Sequence, residues 1–114
     1  MKVNDYVRTT NGYIGEIFNI NEYREPTLKY GIITNYIDMV DTHFISEEDI
    51  AKSSPNIIDL IEEDDFVNNQ MVWHIKEDND GKYLVMCFDG LVIREKDIET
   101  IVTKEQFERC EYKI

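Results

Sequence analysis

The stretch ISEEDI, residues 45–50, returns in the second half of the chain as IREKDI, residues 93–98. A chain of 114 residues has room for one ordinary domain or two very small ones, so an internal repeat sharply limits its architecture. A second signature recurs in the same order. Asp5, Tyr6 and Val7 are echoed by Asp65, Phe66 and Val67. The interval from Asp5 to Ile45 is longer than that from Asp65 to Ile93, and the polar loop around Pro26 accounts for the surplus. The repeat predicts two related units in tandem, residues 1–56 and 57–114, the second ending in a short helix.

Local patterns assign strands to both units. VNDYVRTTNGYIGEIFNI alternates apolar and polar positions around Asn11-Gly12, a dipeptide suited to the positive backbone angles of a hairpin turn. Gly15 within the second of these strands predicts a bulge or a close backbone contact. LKYGIITNYIDMVDTHFI is rich in Ile, Tyr, Val and Thr and reads as two strands divided near Asn35. Ser46 and Asp49 resemble a capping pair around one helical turn, Pro55 prevents a longer helix, and a strand is expected from Ile57 to Ile61. In the second half, QMVWHIKE and KYLVMCF flank Asp78-Asn79-Asp80-Gly81, a strong hairpin signal, and LVI follows Asp89-Gly90. Thr103 and Gln106 form a capping pair for the last helix. YLVMCFDGLVI is apolar at successive positions, as expected of a strand covered on both faces, and is a candidate interface between units or subunits.

Charge narrows the partner classes. The chain carries 24 acidic and 12 basic residues, net −12, with the excess larger in the second half. Such a surface repels phosphates, so direct binding of nucleic acid is not expected, whereas basic protein surfaces are attracted. No apolar run is long enough to cross a bilayer, and no basic-then-apolar leader opens the chain. A cytoplasmic setting in a host cell, without membrane attachment, is therefore expected. The two cysteines, Cys87 and Cys110, make no disulfide framework, and Cys87 reads as a buried thiol.

The densest chemical feature is Asp59 with Glu62, Glu63, Asp64 and Asp65, five carboxylates within seven positions and no Lys or Arg between Lys52 and Lys76. Three readings fit: a solvated linker between units, a binding surface for a basic partner, or a divalent-cation site. The last lacks the alternating oxygen ligands and turn glycine of a calcium loop. The second names the five as candidate partner-binding residues. His43 and His74 with either cysteine lack zinc-site spacing, and nothing marks a nucleophile or a phosphate-cradling loop. No metal, no cofactor and no enzyme activity are expected. Tyr23, Tyr30, Tyr36 and Tyr112 lie among charged residues and are candidate interface anchors.

Two resemblances extend this reading. DYVRTTNGYIGEI resembles the opening of KOW-type and related Src-homology-3-like barrels, where an acidic residue precedes a Val-containing strand and glycines flank the next turn. The implied fold is mainly β with short helices: two tandem small Src-homology-3-like β-barrels packed together. The chain lacks the basic loops that RNA binding by such barrels would need, so the resemblance carries the fold alone. Taken whole, with MKVNDYVRTTNGYIGEI, SPNIIDLIEEDDFVN and IETIVTKEQFE as the carriers, the sequence resembles small acidic proteins of phages and prophages of clostridia and related Gram-positive bacteria. That resemblance implies a cytoplasmic accessory protein expressed during infection or lysogeny, and together with the charge it leads to the expectation of a non-enzymatic protein that binds a basic host protein. A CRISPR effector blocked by an anti-CRISPR-type nucleic-acid mimic is the specific instance. The alternative is a structural or assembly module forming a homodimer that scaffolds other phage proteins.

Overall fold

The computed structural model describes residues 1–21, 29–36 and 39–106. The chain is mainly β and divides into two compact units, Met1–Leu60 and Ile61–Ile114. In the first, β1 (Tyr6–Thr9), β2 (Ile14–Ile20), β3 (Tyr30–Tyr36), β4 (Met39–Ile45) and β5 (Ile50–Ser54) form an antiparallel sheet in the order β4-β3-β2-β1-β5. In the second, β6 (Phe66–Val67), β7 (Gln70–Glu77), β8 (Tyr83–Cys87), β9 (Val92–Arg94) and β10 (Ile101–Val102) are ordered β10-β6-β7-β8-β9. Renumbered from the start of each unit, both orders run 5-1-2-3-4 when read from the same edge. Among the described residues each unit is a five-stranded antiparallel sheet, and neither closes into the expected barrel. Closure would require the edge strands to pair, and the second unit's edges are only three and two residues long.

The repeat extends to individual hydrogen bonds. Each unit opens with a turn whose third residue is left-handed: Asn4 at φ 76° and Asp64 at φ 72°, a conformation Asn and Asp tolerate better than most residues. In the first unit the amide of Lys2 donates to Asp5 Oδ2 (3.0 Å), and the amide of Asn4 to the carbonyl of Ile17 (2.8 Å). In the second, the amide of Glu62 donates to Asp65 Oδ2 (2.8 Å), and the amide of Asp64 to the carbonyl of Val72 (2.9 Å). The two hexapeptides form matching 3-10 turns, Glu47–Asp49 and Glu95–Asp97, each leading toward the fifth strand. Asp49 accepts bonds from the amide and hydroxyl of Ser46 (3.3 and 3.0 Å), as the capping pattern predicts.

Three hairpins share one loop geometry. The amides of Thr9, Asp78 and Cys87 donate to the carbonyls of Tyr13, Lys82 and Leu91 at 2.8, 2.7 and 2.9 Å. The glycines of these loops, Gly12, Gly81 and Gly90, sit at φ 89°, 78° and 90°, where a side chain would be strained. Asn68 and Asn69, both at positive φ, make the two-residue turn between β6 and β7. The Asn68 side chain then pins the segment before β10, accepting from the amides of Glu99 (2.7 Å) and Thr100 (3.0 Å) and donating to the carbonyl of Asp97 (2.8 Å).

The inward faces supply the cores. Val7, Ile17, Tyr30 and Ile32 are buried together in the first unit, with Ile20, Ile45 and Ile50 packed against them. Val67, Val72, Val85, Cys87 and Ile93 are buried in the second. Each large apolar side chain contributes about 1.5–3 kcal/mol when fully covered. Tyr30, expected at the surface, is only 5% exposed, because its inward position lies between Ile20 and Ile45. Gly15 makes the predicted close contact: a Cβ there would lie 3.1 Å from Ile32 Cδ1.

Three expectations change. Residues Ile57–Leu60 form a 3-10 turn, not a strand, with Ile58 and Leu60 buried. That turn packs against β1 and β5, and the buried guanidinium of Arg8 donates to the carbonyl of Leu60 (3.0 Å). Residues 57–60 therefore belong to the first unit, and the division falls after Leu60 instead of after residue 56. In β8, finally, only Val85 and Cys87 are buried; Leu84 and Met86 are half-exposed, so one face is covered and the other open.

Candidate partner-binding surface

The turn that opens the second unit decides what the acidic cluster can do. Asp65 is fully buried, and its second oxygen accepts the amide of Lys104 (2.9 Å) in addition to the Glu62 bond. This carboxylate ties the start of the unit to the segment after β10 and is not available to a partner. Glu62 is half-buried and 3.0 Å from Lys104 Nζ; that hydrogen bond is the main cause raising the lysine above its ordinary pKa. Glu63 is exposed, with Oε1 3.2 Å from His74 Nδ1. Asp64 is exposed on the left-handed turn. Asp59 belongs to the first unit, exposed on the Ile57–Leu60 turn, where it accepts the Ser54 hydroxyl (2.6 Å).

Five carboxylates adjacent in sequence thus present three exposed groups: Asp59, Glu63 and Asp64. Sequence reasoning missed Lys104, which returns to Glu62 and Asp65 from beyond the last strand of the unit. The structural role of Asp65 did have a signal in the sequence. Lys2, Val3, Asn4 and Asp5 make the same turn in the first copy, and Asp is the one residue kept at its position in both.

A further group of carboxylates projects from the Glu47–Asp49 turn, where Glu47, Glu48 and Asp49 are all exposed. The same unit carries a cleft of about 360 Å³ floored by Ile32 and Ile45, with Asn11, Tyr13, His43 and Asp49 at its walls. The Tyr13 and His43 rings lie 6.1 Å apart, and His43 Nε2 is 3.5 Å from Asp41 Oδ2.

Cys87 is buried, and burial together with the nearby Asp89 pushes its thiol pKa up, which disfavours the thiolate. His74 pairs with Met86 on the opposite side of the sheet from Cys87, so the two do not converge. Among the described residues, no three His, Cys, Asp or Glu side chains are grouped to hold a metal ion, and no helix is long and apolar enough to cross a membrane. Cys110, Tyr23 and Tyr112 lie outside the described residues, as does the side chain of Tyr36.

Comparison with protein-family models, curated proteins and solved structures finds no match to this chain.

Proposed function

We propose that this chain is a non-enzymatic binding protein whose partner is a basic protein, in its most specific form a nucleic-acid-binding defence effector of a bacterial host occupied in place of nucleic acid. The observation that carries the reading is the charge surplus. Acidic residues outnumber basic ones by 24 to 12, and Glu47, Glu48, Asp59, Glu63 and Asp64 all hold their carboxylates at the surface. Exposed carboxylates attract an Arg- and Lys-lined groove over roughly a Debye length and speed encounter with it. A phage or prophage accessory role is part of this proposal and rests on the sequence resemblance. Kinship of each unit with Src-homology-3-like folds is likewise a proposal, supported by five antiparallel strands with a 3-10 turn ahead of the fifth.

The test is a panel of purified basic nucleic-acid-binding proteins from Gram-positive hosts, titrated with the fluorescently labelled chain at about 50 and about 300 mM salt. Binding to at least one should weaken tenfold or more at the higher salt and be competed by duplex DNA. Replacing Glu47, Glu48, Asp59, Glu63 and Asp64 together by their amides should weaken it similarly. Asp65 is left intact because the fold needs it. Salt-insensitive binding, or full binding by the amide variant, would refute the reading.

A further inference from the structure

The second strand of each unit carries a bulge at the same place. In the first it falls between Ile17 and Asn19, and in the second between Val72 and His74, so Phe18 and Trp73 are equivalent residues. Their surroundings differ. Asn19 pairs with Gly31, and Phe18 lies so closely over that glycine that a Cβ there would be 2.8 Å from its ring. Phe44, opposite Gly31, meets the Phe18 ring edge-on at 5.9 Å. In the second unit the residue at the Gly31 position is Met86, which pairs with His74 on one side and Val92 on the other. Where the first unit has a bare glycine at this place, the second carries a methionine side chain. Trp73 stands 55% exposed, its indole 6.0 Å from the His74 ring.

The register extends this open face. Met71 pairs with Phe66, and its carbonyl accepts the amide of Phe88 (3.1 Å). Phe88 is 61% exposed. Val92 and Met71 are exposed as well, and a depression of about 290 Å³ lined by Leu84, Met86 and Val92 runs to the Asp78 turn. Exposed aromatic and aliphatic side chains gathered on one sheet face are the composition of an interface core.

We infer that this outer face of β7, β8 and β9, centred on Trp73 and Met86, seats a basic amphipathic segment of the partner protein. Apolar side chains of that segment cover Trp73, Met86 and Val92, and its Lys and Arg residues reach the surrounding carboxylates. The inference rests on the binding reading above and locates it. Charge complementarity selects the occupant. Glu63 and Asp64 border the Trp73 end, Asp89 follows Phe88, and Glu77 and Asp78 border the depression; against these five acids stand Lys76 and Arg94 on the face and Lys82 at its border, and Arg94 and Lys82 both act on Asp78. A second copy of the chain is disfavoured by area and charge. Strands β6 to β9, which are two, eight, five and three residues long, offer about 290 Å² at about 3.3 Å per residue and a spacing of about 4.8 Å, against the roughly 800 Å² per partner of a stable interface. Each copy would also bring a net charge of −12.

The experiment uses the full chain and three labelled synthetic peptides followed by anisotropy: one alternating Lys with Leu and Phe, one of equal charge built from Lys and Ser, and one alternating Glu with Leu and Phe. The first should bind at least tenfold more tightly than either of the others. Trp73→Ala with Phe88→Ser, both exposed positions that the folded unit tolerates, should remove that advantage while leaving Lys-Ser binding unchanged. Met86→Gly, which recreates the Gly31 arrangement, should let the indole settle onto the sheet and lower affinity for the first peptide. Equal binding of the two basic peptides, unaffected by the Trp73 and Phe88 changes, would refute the seat and leave the charge reading standing. Equal binding of the acidic amphipathic peptide would refute the basic occupant. Binding of none would overturn both. Sedimentation showing a dimer that Phe88→Ser dissolves would assign the face to a second copy and overturn the inference.

Discussion

Asp64 and Asp65 are neighbours of identical chemistry, and replacing either by Asn removes one negative charge. If the acidic run acted only as charge, the two substitutions would be equivalent. The structure separates them. Asp65 is buried and accepts two backbone amides, from Glu62 at 2.8 Å and Lys104 at 2.9 Å. Asn at this position keeps one oxygen and turns an NH2 toward the other amide. A buried donor left without its acceptor costs about 1–3 kcal/mol, and exchange of a charged for a neutral acceptor adds about 1 kcal/mol. The expected loss is about 2–4 kcal/mol. A unit as small as Ile61–Ile114 has a total stability of about 3–8 kcal/mol at the usual per-residue values. Asp64→Asn instead places at φ 72° the residue that the first unit has at φ 76°, and should stay within about 0.5 kcal/mol of the parent. Urea unfolding followed by the fluorescence of Trp73, the chain's one tryptophan, reports on the second unit. At an m-value of about 1 kcal/mol per molar, Asp65→Asn should lower the midpoint by about 2 M or more, and Asp64→Asn by less than about 0.5 M. Equal midpoints for the two variants would show that the buried turn is not what holds the unit together.

Gly31→Ala should destabilise the first unit by about 1 kcal/mol, because the new methyl presses on the Phe18 and Phe44 rings; in a Phe18→Ala, Phe44→Ala background that loss should vanish in urea unfolding, and its persistence would locate the strain elsewhere. Asp78 accepts the amides of Lys82 and Asp80, both at 2.9 Å, and these bonds, Lys82 first, with the Arg94 and Lys82 charges, hold its pKa below the ordinary 3.8 despite an opposing effect of burial. With the folded value depressed, the stabilisation is complete at neutral pH and is lost as pH falls below 3.8 through the lowered value. Carboxyl-carbon NMR should place the Asp78 midpoint under 3.8, and a midpoint at or above it would contradict the turn geometry.

The strands, hairpins and doubling were legible because each rests on a local signal. Asn11-Gly12, Asp80-Gly81 and Asp89-Gly90 announce their turns through backbone sterics alone, and alternation places Val7, Ile17 and Ile32 inward. The Ile57–Leu60 turn was not legible. An apolar run of that length fits a strand or a short buried helix equally well, and contact with β1 and β5 decides between them. The acidic cluster misled for a related reason. Sequence proximity counts charges, whereas backbone direction sorts them, and the lysine that answers two of the five lies far downstream, after β10. β8 read as doubly covered because Leu84 and Met86 are apolar; hydropathy alone does not distinguish a buried face from one left partly open.

The two copies differ most where the shared backbone makes no demand. Lys2 and Asn4 become Glu62 and Asp64 while Asp5 and Asp65 stay, because only the last residue of the turn must accept a neighbouring amide. Gly31 becomes Met86, and the exposure of the aromatic residue at the neighbouring bulge rises from 37% at Phe18 to 55% at Trp73. Both changes alter the surface and leave strand order, turn geometry and core positions in place. A fold that tolerates them can acquire a negatively charged, aromatic face in one unit without risking its stability. Substitutions at Glu63, Asp64, Trp73 and Phe88 should therefore shift binding far more than folding, whereas those at Asp65 and Asn68 should do the reverse.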